Sequence, residues 1–143
     1  MAITQAMATS FKVQLLNGQQ NFSANTFKLA LYTSAATLGE NTTAYTTSNE
    51  VVTGGNYSAG GNTLTVNVTP TNTGNVAYIS FANTSWANAT ITANGALIYN
   101  ANLSNAAVAV LAFGGDKTST NGTFAVNFPT ADATSAIIRL TAS

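Results

Sequence analysis

Residues 89–99 read ATITANGALIY and residues 106–113 read AAVAVLAF, followed after a glycine-rich interval by TFAVNF at 123–128. In the first stretch apolar and polar side chains alternate over 89–93. The alternation breaks at Asn94-Gly95 and resumes over 96–99. A period of two is the signature of a strand with one face buried, and a glycine inside it suggests a bulge or bend. Residues 106–113 are apolar at every position, so both faces should be covered. In the third stretch Phe124, Val126 and Phe128 alternate with Thr123, Ala125 and Asn127.

The same period recurs upstream. Phe27, Leu29 and Leu31 alternate with Lys28, Ala30 and Tyr32, and Leu64, Val66 and Val68 alternate with threonines and Asn67. Residues 76–82 and 135–141 complete about seven or eight short strands separated by Gly, Asn and Ser. This predicts a mainly β, single-domain fold, an antiparallel β-sandwich or jelly roll. A β-helix is the rival for so Thr- and Asn-rich a chain, but no short repeat is present. Ahead of the strands, Ile3, Met7, Phe11 and Leu15 recur every four residues and Asn17-Gly18 follows as a stop. Residues 1–18 therefore read as an N-terminal helix or arm, packed on its own domain or docked on a neighbour.

Composition narrows the function. The chain has 143 residues, four Lys plus Arg, four Asp plus Glu, no His and no Cys. Charged residues make up 6%, against roughly 25% in ordinary domains. Thr, Asn and Ser supply 53 of the 143 residues, so hydroxyls and amides must form the surface. Without His or Cys there is no Ser-His-Asp triad, Cys-His dyad, imidazole or thiolate metal site, or disulfide. Lys12, Lys28, Lys117 and Arg139 are too few and scattered for a nucleic-acid footprint or a basic membrane face. The longest apolar run is eight residues, far short of the roughly 20 a spanning helix needs. No basic stretch precedes an apolar one at the N-terminus, so no signal peptide is expected. Zero net charge leaves the chain poorly protected against association.

The acids Glu40, Glu50, Asp116 and Asp132 each sit among turn residues. A glycosidase needs two carboxylates facing across an aromatic cleft, which nothing here promises. Asp116-Lys117 after Gly114-Gly115 lacks the spacing of a phosphate loop, and one acid does not make a calcium loop. Eight Asn-x-Ser/Thr sequons slightly exceed chance and read as composition. No enzyme, cofactor or small-molecule substrate is expected. Trp86 lies in a polar stretch, as an exposed anchor for sugar or protein or, more commonly, as a plug for a sandwich end. Two loops stand out. Residues 34–61 are long and glycine-rich, fit to reach over a neighbour or to make a plain surface excursion around a short edge strand. Residues 114–122 carry turn chemistry throughout and read as a hairpin joining the 106–113 and 123–128 strands.

Three stretches carry a resemblance. They are Ser10-Phe11-Lys12 through Leu15-Leu16-Asn17-Gly18 into residues 27–33; Thr46-Thr47-Ser48-Asn49-Glu50-Val51 with Gly55-Asn56-Tyr57; and Ser85-Trp86-Ala87-Asn88 with Gly95-Ala96-Leu97 and Phe113-Gly114-Gly115-Asp116-Lys117. Together they resemble a family of small virion structural proteins of tailed bacteriophages, over nearly the whole chain. The resemblance implies a capsid cement or decoration protein on the outer shell, made in the host cytoplasm. Its partners would be the major capsid protein and itself, as a homotrimer. A tail or neck component and a receptor- or glycan-binding module are the alternatives. The chain departs from the family pattern at Gln19-Gln20, Asn94 and Ala112, where charged residues are expected. On the helix Phe11, Leu15 and Leu16, and in the long loop Tyr45, Val51, Val52 and Tyr57, are the candidate contact residues.

Overall fold

Strand β1 (Ala6–Met7) precedes a single helix, α1 (Thr9–Leu16), in the computed structural model, which describes residues 2–141. Seven strands follow: β2 (Phe27–Tyr32), β3 (Asn62–Thr63), β4 (Val66–Thr73), β5 (Val76–Phe81), β6 (Thr84–Asn100), β7 (Ala106–Val126) and β8 (Ile138–Leu140). They form two antiparallel sheets, a five-stranded one in the order β1-β7-β6-β2-β3 and a three-stranded one in the order β4-β5-β8. The mainly β, sandwich-like class expected from the period of two is the class observed.

Two expectations about length are overturned. The helix does not begin at the N-terminus. Ala6 and Met7 pair with Val110 and Ala109 as a strand, so Ile3 and Met7 are not on the helix. Ile3 instead packs over Gly95: a Cβ there would lie 2.7 Å from Ile3 Cγ2 and 2.6 Å from the Leu111 carbonyl oxygen. Only glycine lets that segment approach so closely. The helix stops where the sequence places the stop, with Gly18 at φ 71° and its N–H donated to the Leu15 carbonyl.

The second correction concerns residues 114–122. They are no hairpin turn, because residues 106–113 and 123–128 are not two partners. Residues 106–126 are one strand, paired along its length with β6. The positive-φ residues that read as turn chemistry sit at bulges. Ala93 pairs with Lys117 and Gly95 with Ala112, so residues 113–116 bulge out opposite Asn94. Asn121 (φ 48°) and Asn88 (φ 50°) lie at two further register shifts. An extra residue in one strand needs a local conformation outside the β region, which Gly and Asn supply as readily in a bulge as in a turn.

One core joins the layers. Phe22 stacks on Phe27 of β2 with centroids 4.6 Å apart, and both meet Phe81 of β5, so aromatic rings bridge the sheets. Phe11 of α1 closes on Phe22 edge-to-face at 5.9 Å. A second aromatic group, Tyr57, Trp86, Phe124 and Phe113, packs along the β6–β7 ribbon. Of the apolar run 106–113, residues 106–111 are buried as expected, whereas Ala112 and Phe113 are only half-buried, at the bulge where the strand leaves the core.

Candidate functional site: a pinned loop and two strand edges

Residues 34–61 hold no helix and no strand longer than an isolated bridge. They are nonetheless fixed, and Glu50 is the reason. Its carboxylate is buried, 6% exposed. Oε1 accepts the Tyr45 hydroxyl at 2.6 Å, and Oε2 accepts the Tyr57 hydroxyl at 2.7 Å and the Gly60 N–H at 2.7 Å. Leu31 N–H donates to the Tyr57 hydroxyl oxygen at 2.9 Å, which fixes the direction of the Tyr57 proton toward Glu50. Tyr99 O–H donates to the Gly60 carbonyl at 2.7 Å. Two hydroxyls and one backbone N–H therefore converge on the two carboxylate oxygens and use their acceptor capacity.

Burial raises the phenols of Tyr32, Tyr45 and Tyr57 far above the ordinary tyrosine range, with the Glu50 charge adding to the effect. Burial and the same charge push Tyr99 up to about 12. A phenolate beside a carboxylate in a desolvated site is doubly disfavoured, so these side chains stay neutral donors. The arrangement locks a loop to a sheet. Glu40 is exposed, Asp116 accepts from Asn94 Nδ2 at 2.9 Å, and Asp132 accepts the N–H groups of Thr134 and Ser135. Among the described residues no three His, Cys, Asp or Glu side chains converge, and no helix is long and apolar enough to cross a membrane.

The seven candidate contact residues divide. Phe11, Val51 and Tyr57 are buried in the core and cannot touch a partner, because side chains chosen for apolar character alone are the ones a core takes first. Leu15 is half-buried over the crease with Phe22, Ile138 and Leu140. Tyr45 is half-buried, stacked on Tyr99 at 4.6 Å. Leu16, 90% exposed, and Val52, 82% exposed, remain free on the surface. Trp86 is buried against Tyr57 and Phe124, as a plug would be. Of the positions where the family pattern expects charge, Gln20 is buried. It accepts from Asn100 Nδ2 at 2.8 Å and donates to Gln14 at 2.9 Å, so its amide serves the interior.

What the sequence reading missed is the contrast between the two outer edges of the β6–β7 ribbon. The β6 edge is sealed by the loop that Glu50 pins. Thr90 N–H donates to the Gly55 carbonyl at 2.9 Å, Asn56 Nδ2 donates to the carbonyls of Ala87 and Asn88, and Asn62 Nδ2 donates to that of Ser85. The β7 edge is covered only at its start, by β1 and by Ala44 opposite Ala106, and the Gln5 side chain accepts from Ala112 N–H at 3.3 Å. Among the described residues, 113–126 have no backbone partner on that side. A groove of about 490 Å³ runs beside it, lined by Phe113, Phe124, Phe128 and Ile137. The signal was present as an apolar alternation at 123–128, but a strand's partners are not written in its own residues.

No family model, curated protein or solved structure matches the chain.

Proposed function

We propose that this protein is a structural component of a tailed-phage particle, a cement or decoration protein that binds the outer shell and stabilises contacts between major capsid subunits. The observation that carries the reading is the fate of Glu50. Among the described residues it is the buried carboxylate, and its three hydrogen bonds fix a loop, a structural use of the acid. The surface is rich in hydroxyls and amides and sparse in charge, with exposed apolar side chains at Val13, Leu16, Val52 and Leu140 and an unfinished strand edge. Such features suit a protein held by many weak contacts on a symmetric shell, where multivalency supplies the strength. The resemblance of its three sequence stretches to virion structural proteins supports the same reading, and burial of Trp86 removes the natural anchor for a glycan-binding alternative.

The test is the copy number of this chain per purified particle, measured by mass spectrometry against the major shell protein. The expected result is a count comparable with the shell protein. A count of tens or fewer overturns decoration in favour of the tail or neck, and absence from particles overturns the structural role altogether.

A further inference from the structure

We propose that the outer edge of β7 at residues 122–126 is a docking site for an extended, acid-bearing segment of another protein, added as a further strand of the five-stranded sheet. Three observations carry this. First, the edge is open. Residues 122–126 lie between the bulge at 120–121 and the end of β7 and have no outer backbone partner among the described residues. An unpaired row of N–H and C=O groups is a template for an incoming strand. The Gln5 amide oxygen already takes the Ala112 N–H farther along the same edge, in the place of a strand carbonyl.

Second, the edge has a bed for side chains. The groove beside it continues past Gln5, Leu111 and Ile137 into a smaller stretch along Ala109 and Val110. Alternate side chains of an added strand would lie against Phe113, Phe124 and Phe128.

Third, the charge selects the occupant. Lys117 lines one stretch and Arg139 the other, two of the four cations of the chain, and neither stretch is lined by a carboxylate. Asp116, next to Lys117, is held by Asn94 of β6. A second copy of this chain is a poor source of the matching acid. Glu50 is buried, Asp116 and Asp132 accept hydrogen bonds from their own chain, and the exposed Glu40 sits in a segment whose backbone carbonyls already accept from Thr9 and Thr42, so it is not free to extend into a strand. The occupant is therefore an extended segment of a different protein, with apolar residues alternating with polar ones and carboxylates among them.

The proposal names the kind of contact the shell protein would make and rests on the preceding reading only for that identity. Its test uses no particle, so the two fail separately. The probe is a fluorescent octapeptide of alternating valine and polar residues with two glutamates, capped at both ends. Its controls carry lysine for glutamate, or N-methylated valines that cannot pair as a strand. The expected result is saturable binding of the glutamate peptide, at least tenfold weaker binding of both controls, and slowed amide exchange centred on 122–126. The double charge reversal Lys117→Glu with Arg139→Glu, both at exposed positions, should exchange the preference of the protein from the glutamate to the lysine peptide. The milder pair Lys117→Gln with Arg139→Gln should weaken the glutamate peptide alone. Equal binding of acidic and basic peptides, protection elsewhere, or no binding by any peptide overturns the proposal. Concentration-dependent dimerisation that protects 122–126 without peptide also overturns it, because the occupant would then be a second copy.

Discussion

The β6–β7 ribbon has two long edges of the same chain and similar composition, and the protein treats them in opposite ways. Along β6, the carbonyls of Ser85, Ala87 and Asn88 are taken by the side-chain amides of Asn56 and Asn62. Along β7, from Phe113 on, nothing among the described residues does the same. The difference lies in the loop. Its residues reach β6 because Glu50 gathers Tyr45, Tyr57 and Gly60 around one buried charge. A loop of this length with no ladder of its own needs such a hub, since its ordering entropy is otherwise uncompensated. Sealing one edge with side chains blocks edge-to-edge association there and leaves the other edge free to associate.

Replacing Gly61 should break the sealed edge most severely. Gly61 sits at φ 74°, and a Cβ there would lie 1.8 Å from the Leu29 carbonyl oxygen. Because the obstacle is backbone, Gly61→Ala should cost about 3–4 kcal/mol, enough to unfold much of the population at moderate temperature. Thermal melts followed by circular dichroism would show it, and an unchanged melting temperature would show that the loop does not need this approach.

Next is Glu50→Gln, which presents an amide N–H₂ to a cage made only of donors. The expected loss is about 2–3 kcal/mol, with exposure of Trp86 through its neighbour Tyr57 and a red-shifted Trp emission. Tyr57→Phe should cost less than the charge swap. If the two variants melt alike, the carboxylate is not the organising group.

Alkali tests the same hub from the other side. Burial and the Glu50 charge favour the neutral phenols of Tyr32, Tyr45, Tyr57 and Tyr99 in the folded state. The stability they lend is complete below about pH 10, where unfolded tyrosines are also neutral. It is lost as pH climbs through the folded values, about 12 for Tyr99. Phenolate absorbance from these side chains should therefore rise together with loss of the β-sheet signal. A rise near pH 10 with the fold intact would show that these hydroxyls are not enclosed.

Smaller effects should separate the edges. Asn56→Ala removes two amide donations and should cost about 1 kcal/mol, with faster amide exchange confined to the 85–90 stretch of β6. Smallest of all, Leu16→Ser and Val52→Ser should stay within about 0.5 kcal/mol of the parent, because both side chains are already in water. Particle binding is the assay in which those two matter, since any loss there belongs to a contact surface and not to the core.

Much of the fold is legible in the chain, because strand periodicity is a local record of burial. The alternation in residues 27–32 and the first six residues of the apolar run 106–113 correspond to strands buried on one or both faces. The positions of Gly18, Gly114 and Asn121 record where the backbone takes positive φ. That record does not say what the conformation is for. At Gly18 it ends a helix, and at Gly114 and Asn121 it opens a bulge inside a 21-residue strand. The site is less legible. Tyr57 and Leu16 carry equal apolar promise as sequence, yet one is 1% and the other 90% exposed.

The sequence alone determined a mainly β chain without imidazole or thiol chemistry, with an amide- and hydroxyl-rich composition of zero net charge and a helix stop at Asn17-Gly18. Each of these depends on side-chain type or on neighbours a few positions away. Tertiary structure alone decided that two expected strands are one, that Glu50 is a buried anchor, and that one edge of the ribbon is sealed while the other stands open. The hold of the loop on the sheet rests on partners as far as 26 and 32 residues apart, Tyr57 with Leu31 and Asn56 with Asn88. Pairing across such distances is settled by closing a core and satisfying backbone groups together, which no single stretch of sequence encodes.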